Sequence, residues 1–117
     1  MENIFVIQKN VLSLHRKCDF MRIVSFKRIK EFSSLHFDAE IPLCKWYYTT
    51  ESSLWNNLHD VQKTFSTVDY VGNDRFVFNI KGNDYRLVAI IIFASKKVYI
   101  RFIGTHQEYN KIDCKTI

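Results

Sequence analysis

The chain has little that bends or breaks a backbone: one proline and three glycines in 117 residues. That excludes a collagen-like or low-complexity polypeptide and favours short connections within a compact domain. The three cysteines, Cys18, Cys44 and Cys114, are odd in number and widely spaced, with no CxxC. A disulfide framework is therefore not expected, and a reducing compartment is. His15, His36, His59 and His106 are scattered without ligand spacing, so neither a metal nor a cofactor is expected. No apolar run approaches the ~20 residues of a membrane helix; Leu87 to Ala94 has the length of a strand. There is no phosphate-binding glycine loop, no Ser-His-Asp or Cys-His array and no glycosidase pair of carboxylates.

What remains is apolar, aromatic and basic. Hydrophobic residues make up 47% of the chain and aromatics 15%. A chain of this size is one domain that buries roughly two thirds of its unfolded surface. The net charge of +5 and pI of about 9.2 favour a polyanionic partner: nucleic acid, ribosome, acidic protein or anionic membrane. A cytoplasmic protein is the default, with no membrane segment.

The stretch Arg75 to Ile112 organises the rest. Three runs rich in Val, Ile, Phe and Tyr are separated by Lys81-Gly82-Asn83-Asp84 and Ala94-Ser95-Lys96-Lys97. This predicts three antiparallel strands joined by hairpin loops, with positive φ available at Gly82-Asn83. Pairing Ile80 with Tyr85 sets Asn79 against Arg86, Val77 against Val88 and Arg75 against Ile90. Pairing Phe93 with Val98 sets Ile90 against Arg101, Val88 against Ile103 and Arg86 against Thr105. Alternation then gives an apolar face from Phe76, Phe78, Ile80, Tyr85, Leu87, Ala89, Ile91, Phe93, Val98, Ile100 and Phe102. The opposite, mixed face carries Arg75, Asn79, Arg86, Tyr99 and Arg101 among aliphatics that include Ile103. A bulge in either hairpin would exchange the faces beyond it. Thr105-His106-Gln107-Glu108 matches the capping box that opens a helix, with His106 and Tyr109 on one helical face.

Upstream, residues 1–20 are read as an extension, with Met21 the functional start, or as an extra turn packed on the domain; residues 21–117 are the domain proper. Arg22-Ile23-Val24 reads as a strand. A helix begins at Phe26 behind Ser25, with Phe26, Ile29 and Phe32 as its buried stripe. A second begins near Asp38, carries Pro42 in its first turn and runs to about Thr50. Its apolar stripes are Ile41, Cys44 and Tyr48, and Leu43, Trp46 and Tyr47. Leu54 and Trp55 read as anchors, and Asp60 as the cap of a short helix through Phe65.

FNIKGNDYRLV followed by VYIRFIGTHQEYNKID resembles the HigB family of type II toxins, within the RelE/ParE-like superfamily. Met21-Arg22-Ile23, Asp38-Ala39, Trp46-Tyr47, Trp55 and Asp60-Val61 agree with it, so the resemblance spans about Met21 to Asp113. It implies an α+β, RelE-like fold in which N-terminal helices pack on a small twisted antiparallel sheet, with a short C-terminal helix. It implies a metal-independent endoribonuclease that cleaves mRNA, often on the ribosome, by attack of the 2′-hydroxyl on the adjacent phosphate. It also implies silencing by a HigA-type helix-turn-helix antitoxin, with operator DNA reached only through the antitoxin complex. Such chemistry needs phosphate-binding arginines and a group that titrates near neutrality. On this chain those roles fall to Arg86, Arg101 and His106, with Tyr109 to stack a base or relay a proton. Lys81, Asn79 and Arg75 are candidate RNA contacts. Two rivals stay open: a ParE-like inhibitor of a protein target, and an RNA- or ribosome-binding module without catalysis.

Overall fold

The computed structural model describes residues 20–117. The expectation for an N-terminal extension lies outside the described residues except at Phe20. Strand β1 (Arg22–Val24) leads into helix α1 (Phe26–Leu35), a 3₁₀ turn (Phe37–Ala39), helix α2 (Glu40–Glu51) and helix α3 (Leu58–Thr64). Four strands follow, β2 (Asp69–Gly72), β3 (Arg75–Ile80), β4 (Tyr85–Ile92) and β5 (Lys97–Thr105), and then helix α4 (His106–Tyr109). The fold is α+β, as expected. The sheet order is β1-β5-β4-β3-β2. It is mixed rather than wholly antiparallel, because β1 lies parallel to β5, with Ile23 beside Val98. Three helices separate β1 from the rest of the sheet, a connection long enough for parallel pairing.

The first hairpin has the expected register: Arg75 faces Ile90, Val77 faces Val88, Asn79 faces Arg86 and Ile80 faces Tyr85. Its turn uses positive φ at Lys81 (53°) and Gly82 (63°). The second hairpin differs twice. Its loop closes one residue earlier on each strand, pairing Ile92 with Lys97. A shift of two in the pairing sum leaves the faces unchanged. Then β5 carries a bulge between the pairs Ala89–Ile100 and Val88–Phe102, and one extra residue exchanges the faces beyond it. Ile103 therefore turns to the helix side, where it packs against the core. Phe102, expected in the core, stands on the mixed face opposite Val88.

The core lies between the helices and the apolar sheet face. Trp46 meets Phe78 edge-on at 5.4 Å, Phe65 meets Phe78 at 5.2 Å, and Trp55 backs Phe65 at 6.0 Å. Trp55 is also tied to α3 by its indole N–H, which donates to Thr64 Oγ1 at 3.0 Å. Ile29 is buried and Phe26 and Phe32 flank it, so the α1 stripe is as read. Two other positions are not: Ile41, read in a stripe of the second helix, and the anchor Leu54 are 67% and 48% exposed. Ser25 precedes α1 in a left-handed conformation and makes no side-chain cap. Asn57, not Asp60, caps α3, accepting from the Asp60 N–H at 3.0 Å. Cys44 is a buried core thiol whose pKa burial and then Glu40 push up to about 11, which keeps it neutral.

Candidate active site on the second sheet face

The sheet face turned away from the helices carries Arg86, and α4 leans over it. The capping box forms as read: Thr105 Oγ1 accepts from the Glu108 N–H at 3.1 Å, and Glu108 Oε1 accepts from the Thr105 N–H at 2.8 Å. This fixes the corner between β5 and α4. Gly104, opposite Arg86, makes that corner tight. A Cβ there would meet the Phe102 ring and lie 2.9 Å from Glu108 Oε1.

Tyr109 then projects back over the sheet. Its ring lies under the Arg86 guanidinium, 5.1 Å from Cζ to the ring centroid. Its hydroxyl donates to Cys114 Sγ at 3.4 Å. Burial, then the Cys114 contact, pushes the Tyr109 phenol up to about 12, against the pull of Arg86. Tyr109 is thus a neutral phenol whose hydroxyl and one ring face are both occupied. Arg86 is half-buried, its Nε finds no hydrogen-bond acceptor, and no salt bridge engages it among the described residues. A guanidinium seated on an aromatic ring with no carboxylate partner keeps its remaining N–H donors for an external anion.

Arg101 sits in the β5 bulge. Alternation from buried Ile100 sends it to the Arg86 side, and the pairing of Phe102 with Val88 keeps Phe102 there as well. Arg101 is exposed. It was expected opposite Ile90, four residues from the Arg86 row; the earlier closure of the hairpin loop sets it beside the Val88 and Ala89 rows, two or three rows away, roughly 7–10 Å along the strands. Thr105 faces Tyr85 and Gly104 takes the expected place beside Arg86, so His106 lies two residues beyond the Arg86 row. The His106 N–H donates to the Asp84 carbonyl at 3.2 Å, tying α4 to the first hairpin. His106 precedes Tyr109 by one turn and so shares the helical face that carries Tyr109 to Arg86. Its imidazole is exposed, with Nδ1 3.4 Å from Asn110 Nδ2.

The other sequence candidates are placed differently. Lys81 Nζ lies 2.7 Å from Asp38 Oδ2 and 3.6 Å from Asp84 Oδ2. The Tyr85 hydroxyl donates to Asp38 Oδ1 at 2.6 Å. Asp38 is therefore no helix cap but a clamp between the 3₁₀ turn and the hairpin tip. Lys81 and then Tyr85 hold its carboxyl below the ordinary value. Arg75 is held by the Asn73 carbonyl at 2.9 Å and the Ile117 carbonyl at 2.8 Å. Asn79 is half-buried opposite Arg86 and also borders a hollow of about 370 Å³ on the helix side, with Lys45 and Trp46. Sequence reasoning gave no role to Cys114 or Gly104 and assigned Phe102 to the core. Cys114 follows α4 without pattern, and the other two owe their positions to the bulge. Among the described residues no group of three or more His, Cys, Asp or Glu is gathered to hold a metal, and no helix is long and apolar enough to cross a membrane.

The comparisons with known proteins agree on one family. Residues 39–112 match the family model of the HigB toxin, described as the RelE-like toxic component of a toxin-antitoxin system. The chain is 28% identical over 93 residues to the mRNA interferase toxin HigB of Escherichia coli K12, covering 77% of this chain and 88% of that protein. The mRNA interferase HigB of Escherichia coli O157:H7 gives the same figures. That of Escherichia coli O6:H1 is 23% identical over 94 residues, 79% of this chain and 91% of its own.

Proposed function

The chain belongs to the HigB family, the RelE-like toxic component of a toxin-antitoxin system, and we propose that it is an endoribonuclease that cleaves mRNA during translation on the ribosome. A HigA-type helix-turn-helix antitoxin silences it, and operator DNA is reached through that complex. The site of action is the cytoplasm, where transcripts and ribosomes are. The observation that carries the reading is Arg86: half-buried, seated on Tyr109 at 5.1 Å, and without a carboxylate partner among the described residues.

The reaction needs no metal. The 2′-oxygen attacks the adjacent phosphorus in line, its proton passes to a base, and the bond from phosphorus to the 5′-oxygen breaks as that oxygen takes up a proton. The products are a 2′,3′-cyclic phosphate and a 5′-hydroxyl. Arg86 takes two non-bridging oxygens through its guanidinium fork, where charge grows in the transition state. Arg101 holds the neighbouring backbone. His106, solvent-accessible at the corner of α4, exchanges protons with the reacting oxygens. Asn79, across the ladder from Arg86, borders the path of the strand, while Lys81 and Arg75 offer more distal contacts.

The test is induced expression of the wild type and His106→Ala with mapping of transcript 5′ ends. The variant keeps its fold and antitoxin binding and loses transcript cleavage and growth arrest. Unchanged cleavage by the variant removes His106 from the mechanism. Growth arrest by the wild type with intact transcripts favours a non-enzymatic inhibitor instead.

A further inference from the structure

The family match ends at Ile112, and the residues after it close over the Arg86 face. Cys114 Sγ accepts from the Tyr109 hydroxyl at 3.4 Å, the Lys115 carbonyl from Asn73 Nδ2 at 3.3 Å, and the Ile117 carbonyl from Arg75 Nη2 at 2.8 Å. The segment is shaped by Asp113. Its carboxylate accepts from the Lys115 N–H at 3.1 Å, and its carbonyl from the N–H groups of Thr116 and Ile117 at 3.2 Å each. Val77 and Val88 point to this side of the sheet and are 2% and 0% exposed, yet they stand outside the main core cluster. A bare sheet face would leave them wet, so α4 and the segment behind it form a second, smaller covering layer.

That layer bears on Arg86. The guanidinium has the Tyr109 ring as its contact, while its Nε lacks an acceptor. A long side chain with one aromatic contact is only as well placed as the ring. The ring is fixed at one end by α4 and at the other by Cys114. We infer that residues 113–117 are a strap that positions Arg86 for the substrate phosphate, acting through Cys114 and Tyr109 as positioning residues. This rests on the reading of the Arg86 face as the RNA-cleaving site.

The test uses isotope-labelled full chain from cell-free synthesis and compares the wild type with Cys114→Ala, Cys114→Ser and a chain ending at Ile112. One readout is the ring-current displacement of the Arg86 side-chain NMR signals by Tyr109. The other is single-turnover cleavage of mRNA on programmed ribosomes. The Ala variant and the shortened chain lose the displacement, and their cleavage rate falls by about tenfold or more, since ~1 Å of misplacement costs on the order of a hundredfold. Apparent KM changes less than the rate. Cys114→Ser, whose hydroxyl still accepts from the phenol, stays near wild type. Arg86 signals that keep their displacement in both disrupted variants overturn the proposal. So does a lost displacement with unchanged cleavage. A wild-type chain that cleaves no transcript removes the reading beneath it, while the Arg86 signals still decide whether the strap holds the side chain.

Discussion

Arg86 offers the sharpest separation of stability from activity. Its contact with the Tyr109 ring stabilises by roughly 0.5–2 kcal/mol. Burying Nε without an acceptor costs roughly 1–3 kcal/mol. The two terms oppose each other and are of similar size. Arg86→Met keeps the unbranched stem over Val88 and Tyr109 and removes both terms together. Its unfolding free energy in urea should therefore lie within about 1 kcal/mol of wild type, in either direction. Cleavage should respond quite differently. A donor fork aimed at developing phosphate charge contributes on the order of 3–4 kcal/mol to the transition state, so the single-turnover rate falls by about 10²–10³-fold. Arg86→Lys keeps the charge but not the bidentate fork and should fall between the two. Paired urea titrations and primer-extension assays on programmed ribosomes measure both quantities on the same preparations. Loss of more than about 2 kcal/mol of stability in Arg86→Met would mean that the guanidinium is structural. A cleavage rate within about threefold of wild type would refute its role at the phosphate.

Two further outcomes follow from the frame around the site. Asp38 is held below its ordinary 3.8 by Lys81 first and Tyr85 second, so its stabilising effect is present above that pH and lost as pH falls through the depressed folded value. Asp38→Asn should be less stable than wild type near neutrality, and acid titrations followed by circular dichroism should show the difference shrinking below about pH 4; a constant offset down to about pH 2 would refute the clamp. Gly104→Ala places a Cβ against the Phe102 ring and near Glu108 Oε1, and should cost about 1–3 kcal/mol, read as a Tm lowered by about 5 °C per kcal/mol; an unchanged Tm would mean that the corner has room.

The parts legible in the sequence are those governed by local pattern. The register of the first hairpin follows from the sequence because two strand-like runs are broken only by Lys81-Gly82-Asn83-Asp84, a loop of hairpin length. The α4 capping box was legible for the same reason: all its partners lie within four residues. Asp38 shows the opposite case. An aspartate before Pro42 looks like a helix cap, but its partners are Lys81 and Tyr85, 43 and 47 residues away, and no local signal announces them. Ile41 read as core because it falls on the same helical stripe as Cys44. Burial depends on what lies opposite, and Ile41 is left exposed while Leu43 and Cys44 beside it are buried. Cys114 is a third instance, since its partner Tyr109 belongs to a helix of one turn whose direction is set by the sheet.

The β5 bulge shows why the candidate site was legible as a set of residues but not as a geometry. Bulges with a glycine can be suspected from sequence; here the extra residue falls at Arg101, within a run of otherwise clean alternation. Without the bulge, the observed hairpin register would set Arg101 against Val88, Phe102 against Leu87 in the core and Ile103 beside Arg86. With it, Arg101 keeps its face, Ile103 replaces Phe102 against the helices, and Gly104 arrives beside Arg86. An arginine can occupy the extra position because it points to water, where unpaired backbone is least costly. The earlier closure of the loop, not the bulge, draws Arg101 toward Arg86, while the bulge puts Gly104 beside Arg86 where Ile103 would otherwise stand. Restoring a regular register by deleting Ile103 would leave Arg101 opposite Val88 and Gly104 beside Arg86, with Phe102 turned to the core beside Leu87. Such a chain should keep its affinity for RNA in a binding titration, because the spacing of the two guanidiniums is set by the loop and not by the bulge.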